Sequence, residues 1–291
     1  MIQSMTGYAA ASAPTARGML SLELRSVNSR FLDVQLRIPD ELRALEPMLR
    51  ELLSARLSRG KVDCRLLLGA AQAVPAGAEV SIEVLERLRE LSEQVVRALP
   101  QAAPLRVADV LRWPGVIAEA PADEEATRSA AGELARRALD ELVAARAREG
   151  GKLAAAIAER VGAMRRRVDA LAPHLPQALA DYQARLSQKL REALGSTAGA
   201  DDERVRAELA VFASKVDVDE EITRLRTHFA EVERVLATGG AVGKRLDFLA
   251  QELNREANTL ASKAASTEIT DCALELKVLI EQIREQVQNL E

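Results

Sequence analysis

At 291 residues the chain is roughly twice as long as a common domain, and 48% hydrophobic with 29% charged residues is a globular composition with material for a sizeable core. Seven aromatic residues, two distant cysteines (Cys64, Cys272) and two histidines (His174, His228) exclude rows of base-stacking aromatics, a disulfide framework and a thiolate zinc site. The net charge of −4 is unevenly spread: residues 1–65 hold ten Lys/Arg against seven Asp/Glu, and residues 217–291 hold nine against fifteen, which suits either a polyanion-binding surface beside a carboxylate cluster or ordinary solvated helix faces.

In chain order, alternating apolar residues predict strands at 19–24 (MLSLEL), 31–38 (FLDVQLRI) and 62–68 (VDCRLLL). Leu42, Leu45, Leu49, Leu52, Leu53 and Leu57 predict a helix between the last two, starting near Glu46 or kinked at Pro47. This β-β-α-β order opens an α+β domain, followed by an Ala/Gly/Pro-rich loop at 70–78. Ser81 is the expected N-cap of a helix to about Leu99, and a short helix at 107–112 ends at Trp113-Pro114-Gly115. A long Ala-rich helix is expected over 123–171, interrupted or bent at Gly150-Gly151. Further helices are expected at 177–194, 202–215, 219–236, 243–260 and 269–290, with a linker at 195–200 (GSTAGA) and a break at Gly239-Gly240. The fold class read from this order is α+β: an N-terminal mixed strand and helix domain, a long helical hairpin and an all-α C-terminal domain. The domain limits are set at 1–155, 156–205 and 206–291. No run approaches the ~18 apolar residues of a membrane span. The N-terminal MIQSMTGYAA has no basic region leading into an apolar one, so a soluble cytoplasmic protein with no membrane partner is expected. Wide apolar faces on long helices, and Leu274, Val278, Ile280, Ile283, Val287 and Leu290 near the end, predict a homo-oligomer.

No Walker loop, Rossmann fingerprint, HExxH or GxSxG is present. Polar residues concentrate instead between Asp217 and Lys263. On the helix beginning near Asp219, Glu221, Arg224 and His228 share one face. Arg224 can hold a phosphate by charge-assisted hydrogen bonds, and His228 can ligate a metal or move a proton; a surface helix with Glu–Arg pairs has the same pattern. On the next helix, Leu246, Leu249, Leu253, Ala257 and Leu260 form a core stripe. Beside it run Asp247, Gln251, Asn254 and Asn258, then Glu252, Glu256 and Lys263, flanked by Arg245 and Arg255. Glu252 and Glu256 repel across one turn unless a cation relieves them, so carboxylates on Mg²⁺ or Mn²⁺ are one reading. A buried polar network joining subunits is the other. Two short basic turns, 25–30 (RSVNSR) and 59–61 (RGK), have the composition of phosphate-gripping loops and equally of exposed turns.

The ordered motifs SMTGY at 4–8, LRSVNSRFLD at 24–33, LSRGKVD at 57–63 and REGGKL at 148–153 continue in DVDEEITRLRTHF at 217–229, GKRLDFLAQELNREANTLASKA at 243–264 and ELKVLIEQIREQVQNLE at 275–291. Together they resemble the YicC-like family of bacterial proteins. The resemblance implies a divalent-metal-dependent endoribonuclease, a homo-oligomer that is a hexamer, and a role in RNA turnover, with other ribonucleases as further partners. The helical faces, not the resemblance, supply the site candidates: His228, Glu221 and Arg224 as catalytic residues, and Glu252, Glu256, Asp247 and His228 as metal ligands. Arg25, Asn28, Arg30, Lys61, Lys244, Arg245, Asn254, Arg255, Asn258 and Lys263 would contact RNA. A non-catalytic adaptor that delivers RNA to another nuclease is the alternative.

Overall fold

A computed structural model describes residues 1–69, 80–117, 124–194 and 216–291; the expected loop at 70–78, linker at 195–200 and helix at 202–215 lie outside them. The architecture is α+β, with a four-stranded sheet and its helices first, then a long helix and an all-helical C-terminal region. Two compact units divide the chain: Tyr8–Arg25 with Leu32–Leu142, and Met1–Gly7 with Ser26–Phe31 and Val143–Glu291.

The first of these holds most of the sheet, ordered β1 (Gly7–Thr15), β2 (Gly18–Val27), β4 (Gly60–Gly69), β3 (Leu32–Arg37). Alternation puts Leu20, Leu22 and Leu24 of β2 and Val62, Cys64 and Leu66 of β4 into the core. Burial pushes the Cys64 thiol up to about 12, so it acts as a packing group. β3 and β4 are parallel, in register from Leu32↔Gly60 to Arg37↔Arg65. Their crossover is a 3₁₀ turn (Asp40–Leu45) followed by α1 (Glu46–Arg56). Pro47 falls in the first turn of α1, where its missing N–H would have had no helical partner, so α1 starts there unkinked. β1 was not expected. Its sequence, GYAAASAPT, buries only Ala9 and Ala11, too small to give an apolar alternation. The helix α2 (Ile82–Ala98) begins at Ser81, whose hydroxyl accepts the Val84 N–H, and α3 spans Val107–Leu111.

A single helix, α4 (Glu124–Leu171), runs through the glycine pair where an interruption or a bend was expected, so the helix is not interrupted there. A 3₁₀ turn at Ala172–His174 leads to α5 (Leu175–Leu194), and α6 (Asp219–Thr238), α7 (Gly243–Ser262) and α8 (Thr267–Val287) follow. In the second unit, one apolar core joins the later turns of α4 (Ile157, Val161, Met164, Val168) to α6, α7 and α8. Ile280, Ile283, Val287 and Leu290 are buried within it, while Leu274 and Val278 remain exposed. Among the described residues no helix is long and apolar enough to cross a membrane.

Both ends of the chain are tied into this unit around Arg146, a fully buried side chain of α4. Its Nε donates to the Ser4 carbonyl at 2.5 Å and its Nη2 to the Glu291 carboxylate at 2.6 Å. Around it, Met5 N–H donates to Asn289, Glu291 N–H to Gln3, and Val242 N–H to the Glu291 backbone oxygen. That last bond serves the start of α7, where helix N–H groups have no helical acceptor.

Candidate functional site

Helix α6 buries Ile222, Leu225, Phe229, Val232 and Val235, and α7 buries Leu246, Leu249, Leu253, Ala257 and Leu260. These stripes recur at helical spacing, so each helix turns one face to the core and leaves a polar row beside it. Gly239 and Gly240, at φ +70° and +87°, reverse the chain between the helices, a conformation that side-chain-bearing residues rarely adopt. The two helices are therefore antiparallel, and three ion pairs link them like rungs. Glu231 meets Arg245 at 2.5 Å, Arg224 meets Glu256 at 3.5 Å, and Glu221 meets Lys263 at 2.8 Å.

The two lower rungs form a half-sunken ionic cluster. Glu221 and Glu256 are buried, whereas Arg224 is half exposed and Lys263 partly so. Arg224 also pairs with Glu220, and Lys263 donates to the Asp217 carbonyl at 3.0 Å. The carboxylates thus anchor the cations from below while the charged heads reach towards water. Glu221 Oε2 is buried with no hydrogen-bond partner among the described residues, an acceptor left with spare capacity.

The upper rung opens onto a groove of about 940 Å³ between α6 and α7, whose lining includes Arg226, His228, Glu231, Arg234, Arg245 and Phe248. His228, half-buried, lies between the Arg224–Glu256 and Glu231–Arg245 rungs. Glu231 accepts from Arg234 at 2.7 and 2.8 Å and from Arg245 at 2.5 Å. Those hydrogen bonds hold its carboxyl far down, at about 2, so it stays charged at neutral pH. Arg226 reaches across to α4 and pairs with Asp169 at 2.7 Å. Three guanidiniums and one carboxylate leave the groove positive, and Phe248 stands exposed at its edge. This arrangement can bind a phosphodiester and move a proton beside it.

The structure gathers Glu221, Arg224, Glu256 and Lys263 into one cluster and sets His228 and Arg245 in the adjoining groove. Asp247 accepts instead from Gln251 at 2.8 Å, and Glu252 is half-buried one turn before Glu256. Lys244, Arg255 and Asn258 are exposed, and Asn254 is half-buried. Asn28 donates to the Gln288 carbonyl at 2.6 Å, and the Arg30 guanidinium lies 5.2 Å from the Phe31 ring centre. Arg25 on β2 and Lys61 on β4 are exposed. For a divalent cation the fit within one chain is poor. Asp247, Glu252, Glu256 and His228 do not converge, and among the described residues no three His, Cys, Asp or Glu side chains form a ligand group. Glu256 and Glu221 already face an arginine and a lysine. Arg226, Glu231, Arg234 and Phe248 enter the site only through the structure. Phe248 carried a legible signal, since a phenylalanine between Leu246 and Leu249 falls off the core stripe.

Two family descriptions cover the chain: the N-terminal region of endoribonuclease YicC-like proteins matches residues 2–155, and their C-terminal region matches residues 171–291. The polar helices α6 and α7 fall in the second. Among curated relatives, a protein of Haemophilus influenzae named "Probable endoribonuclease YicC" is 39% identical over 297 residues, covering 100% of both chains. A protein of the same name from Clostridioides difficile is 27% identical over 293 residues, again across 100% of both.

Proposed function

The chain belongs to the YicC-like endoribonuclease family, and from that premise we propose that it cleaves RNA phosphodiester bonds in the α6–α7 groove. The observation that carries this reading is a histidine set among three guanidiniums in a positive groove, directly above a row of anchored cations. Arg245 and Arg224 would hold the phosphate oxygens and stabilise the charge that builds on them as the bond to phosphorus forms and the old one breaks. His228 would transfer the proton that the attacking or leaving oxygen must lose or gain, a contribution of typically 10²–10⁴-fold. Glu256 and Glu221 act as positioning residues, holding Arg224 and Lys263 in place. Arg25, Arg30 and Lys61 are proposed contacts to the RNA backbone elsewhere along the strand.

A divalent cation belongs to the family expectation; among the described residues the donors of one chain do not assemble around one, and the roles given to His228, Arg224 and Arg245 do not depend on it. Association of identical subunits is proposed on the exposed Leu274 and Val278 of α8, which border an apolar groove of about 700 Å³, and light scattering tests it. The adaptor reading draws support from one fact: every cation in the rungs already has a carboxylate partner. One experiment separates the two. Purified protein is incubated with a labelled structured RNA, with and without chelator, beside His228→Gln. The proposal expects cleavage by the wild type, lost in the variant while RNA binding persists. Intact RNA bound by both proteins would establish the adaptor.

A further inference from the structure

Phe248 lies on the exposed side of α7, 58% accessible, although the apolar stripe of the same helix is buried. It borders the positive groove, and Arg245 precedes it by three residues, which places guanidinium and ring as neighbours on one helix surface. Arg234 approaches from α6 through the shared carboxylate of Glu231. An apolar surface alone would not say what covers it. Here the surround is cationic, with Glu231 the one acidic lining residue among the described residues, so the occupant that fits both parts carries a negative backbone and a flat aromatic face.

That pairing is the chemistry of a nucleotide, and it further restricts which nucleotide. In an A-form duplex each base is covered above and below by its neighbours, and the deep major groove keeps side chains from its edges. A ring standing on a helix surface reaches a base face only when that base is unpaired and unstacked. Resting on the functional reading above, we infer that Phe248 is a base-stacking platform and that the substrate presents an unpaired nucleotide there. Its phosphate lies towards Arg245 and His228. Because every base has a π-face, the site selects for lack of pairing rather than for sequence. The shortage of aromatics in the chain is compatible with this: a single platform fixes one nucleotide, and the arginines bind the rest of the strand by charge.

The test uses the full-length protein and a short unpaired RNA carrying a fluorescent adenine analogue, alone or annealed to its complement. The inference expects the wild type to quench the analogue and to bind the unpaired strand more tightly than the duplex. Phe248→Ala should lose the quenching and weaken that binding by roughly ten- to a hundred-fold. Phe248→Trp should restore both; Phe248→Leu, which keeps apolar area without a π-face, should not. Equal affinity for single strand and duplex, or full binding by Phe248→Leu, overturns the inference while leaving RNA cleavage in place. If Phe248→Ala changes the oligomeric state and Phe248→Leu restores it, the ring is a contact between subunits and the inference falls. Failure of the wild type to bind either RNA removes the functional reading together with the inference.

Discussion

Arg146 and Arg224 lie in the same compact unit, each against a glutamate, and they differ in almost everything else. Arg146 is sealed in, with Nε on the Ser4 carbonyl and Nη2 on Glu291; burial lowers its pKa and the Glu291 charge works against that shift. Its fork is occupied by the two chain ends, leaving it nothing to offer a ligand. Arg224 is half exposed and held from below by a buried carboxylate, so part of its donor set faces solvent. The neighbouring Glu221 even retains a buried oxygen with no partner among the described residues. The contrast separates polar residues whose capacity is consumed by the fold from those that keep some in reserve. The second kind marks the candidate site.

The largest expected effect is on the site and not on the fold. Replacing His228 by Gln should lower RNA cleavage by about 10²–10⁴-fold with an unchanged thermal midpoint. Wild-type rates in single-turnover assays would remove His228 from the chemistry. Arg146→Met should give the mirror image. It leaves the Glu291 carboxylate without its cation and the Ser4 carbonyl without its donor, at a cost of about 3–5 kcal/mol in urea unfolding. Activity per folded molecule should survive; a selective loss of activity at full stability would erase the distinction between the two arginines. Between these extremes stands Glu221→Gln. Leaving Lys263 beside a neutral amide should cost about 1–3 kcal/mol and also weaken RNA binding, because the ammonium loses its anchor. Lost stability with unaltered affinity would move Glu221 to the structural side of the comparison.

Much of the fold was legible because periodicity reports burial directly. The alternation at Leu20, Leu22 and Leu24, the cap at Ser81 and the stripes on α6 and α7 all follow from that. β1 escaped because Ala9 and Ala11 bury too little to leave a pattern. The polar rows were visible as faces on single helices, and Glu221, Arg224, His228, Glu256 and Lys263 were picked out that way. What no helical wheel contains is which rows meet. The antiparallel register set by Gly239-Gly240 turns Glu256 towards Arg224. For Glu256 the cationic partner, Arg224, belongs to another helix, which no single-helix pattern contains.

The smallest effect comes from the glycine pair within α4, and there the same question of used and spare capacity arises for space instead of hydrogen bonds. A Cβ at position 150 would lie 2.4 Å from the Ile2 carbonyl oxygen and 2.8 Å from the Gln3 Cα, both backbone atoms of the segment that Arg146 also holds. Gly150→Ala must therefore push that segment away, costing about 1–3 kcal/mol. At Gly151 an added Cβ would meet nothing within 4 Å among the described residues beyond its own helix backbone, and the residue is an ordinary helical position exposed to solvent. Alanine there removes backbone freedom from the unfolded chain and improves helix propensity, so Gly151→Ala should stabilise the protein by about 0.5–1 kcal/mol. Urea unfolding of the two single variants reads the pair directly. Opposite signs at adjacent residues mean that the first glycine is required by close approach of the N-terminal segment and the second is merely tolerated. Equal destabilisation would instead mean that α4 needs flexibility at this point, and the continuous helix would lose its explanation.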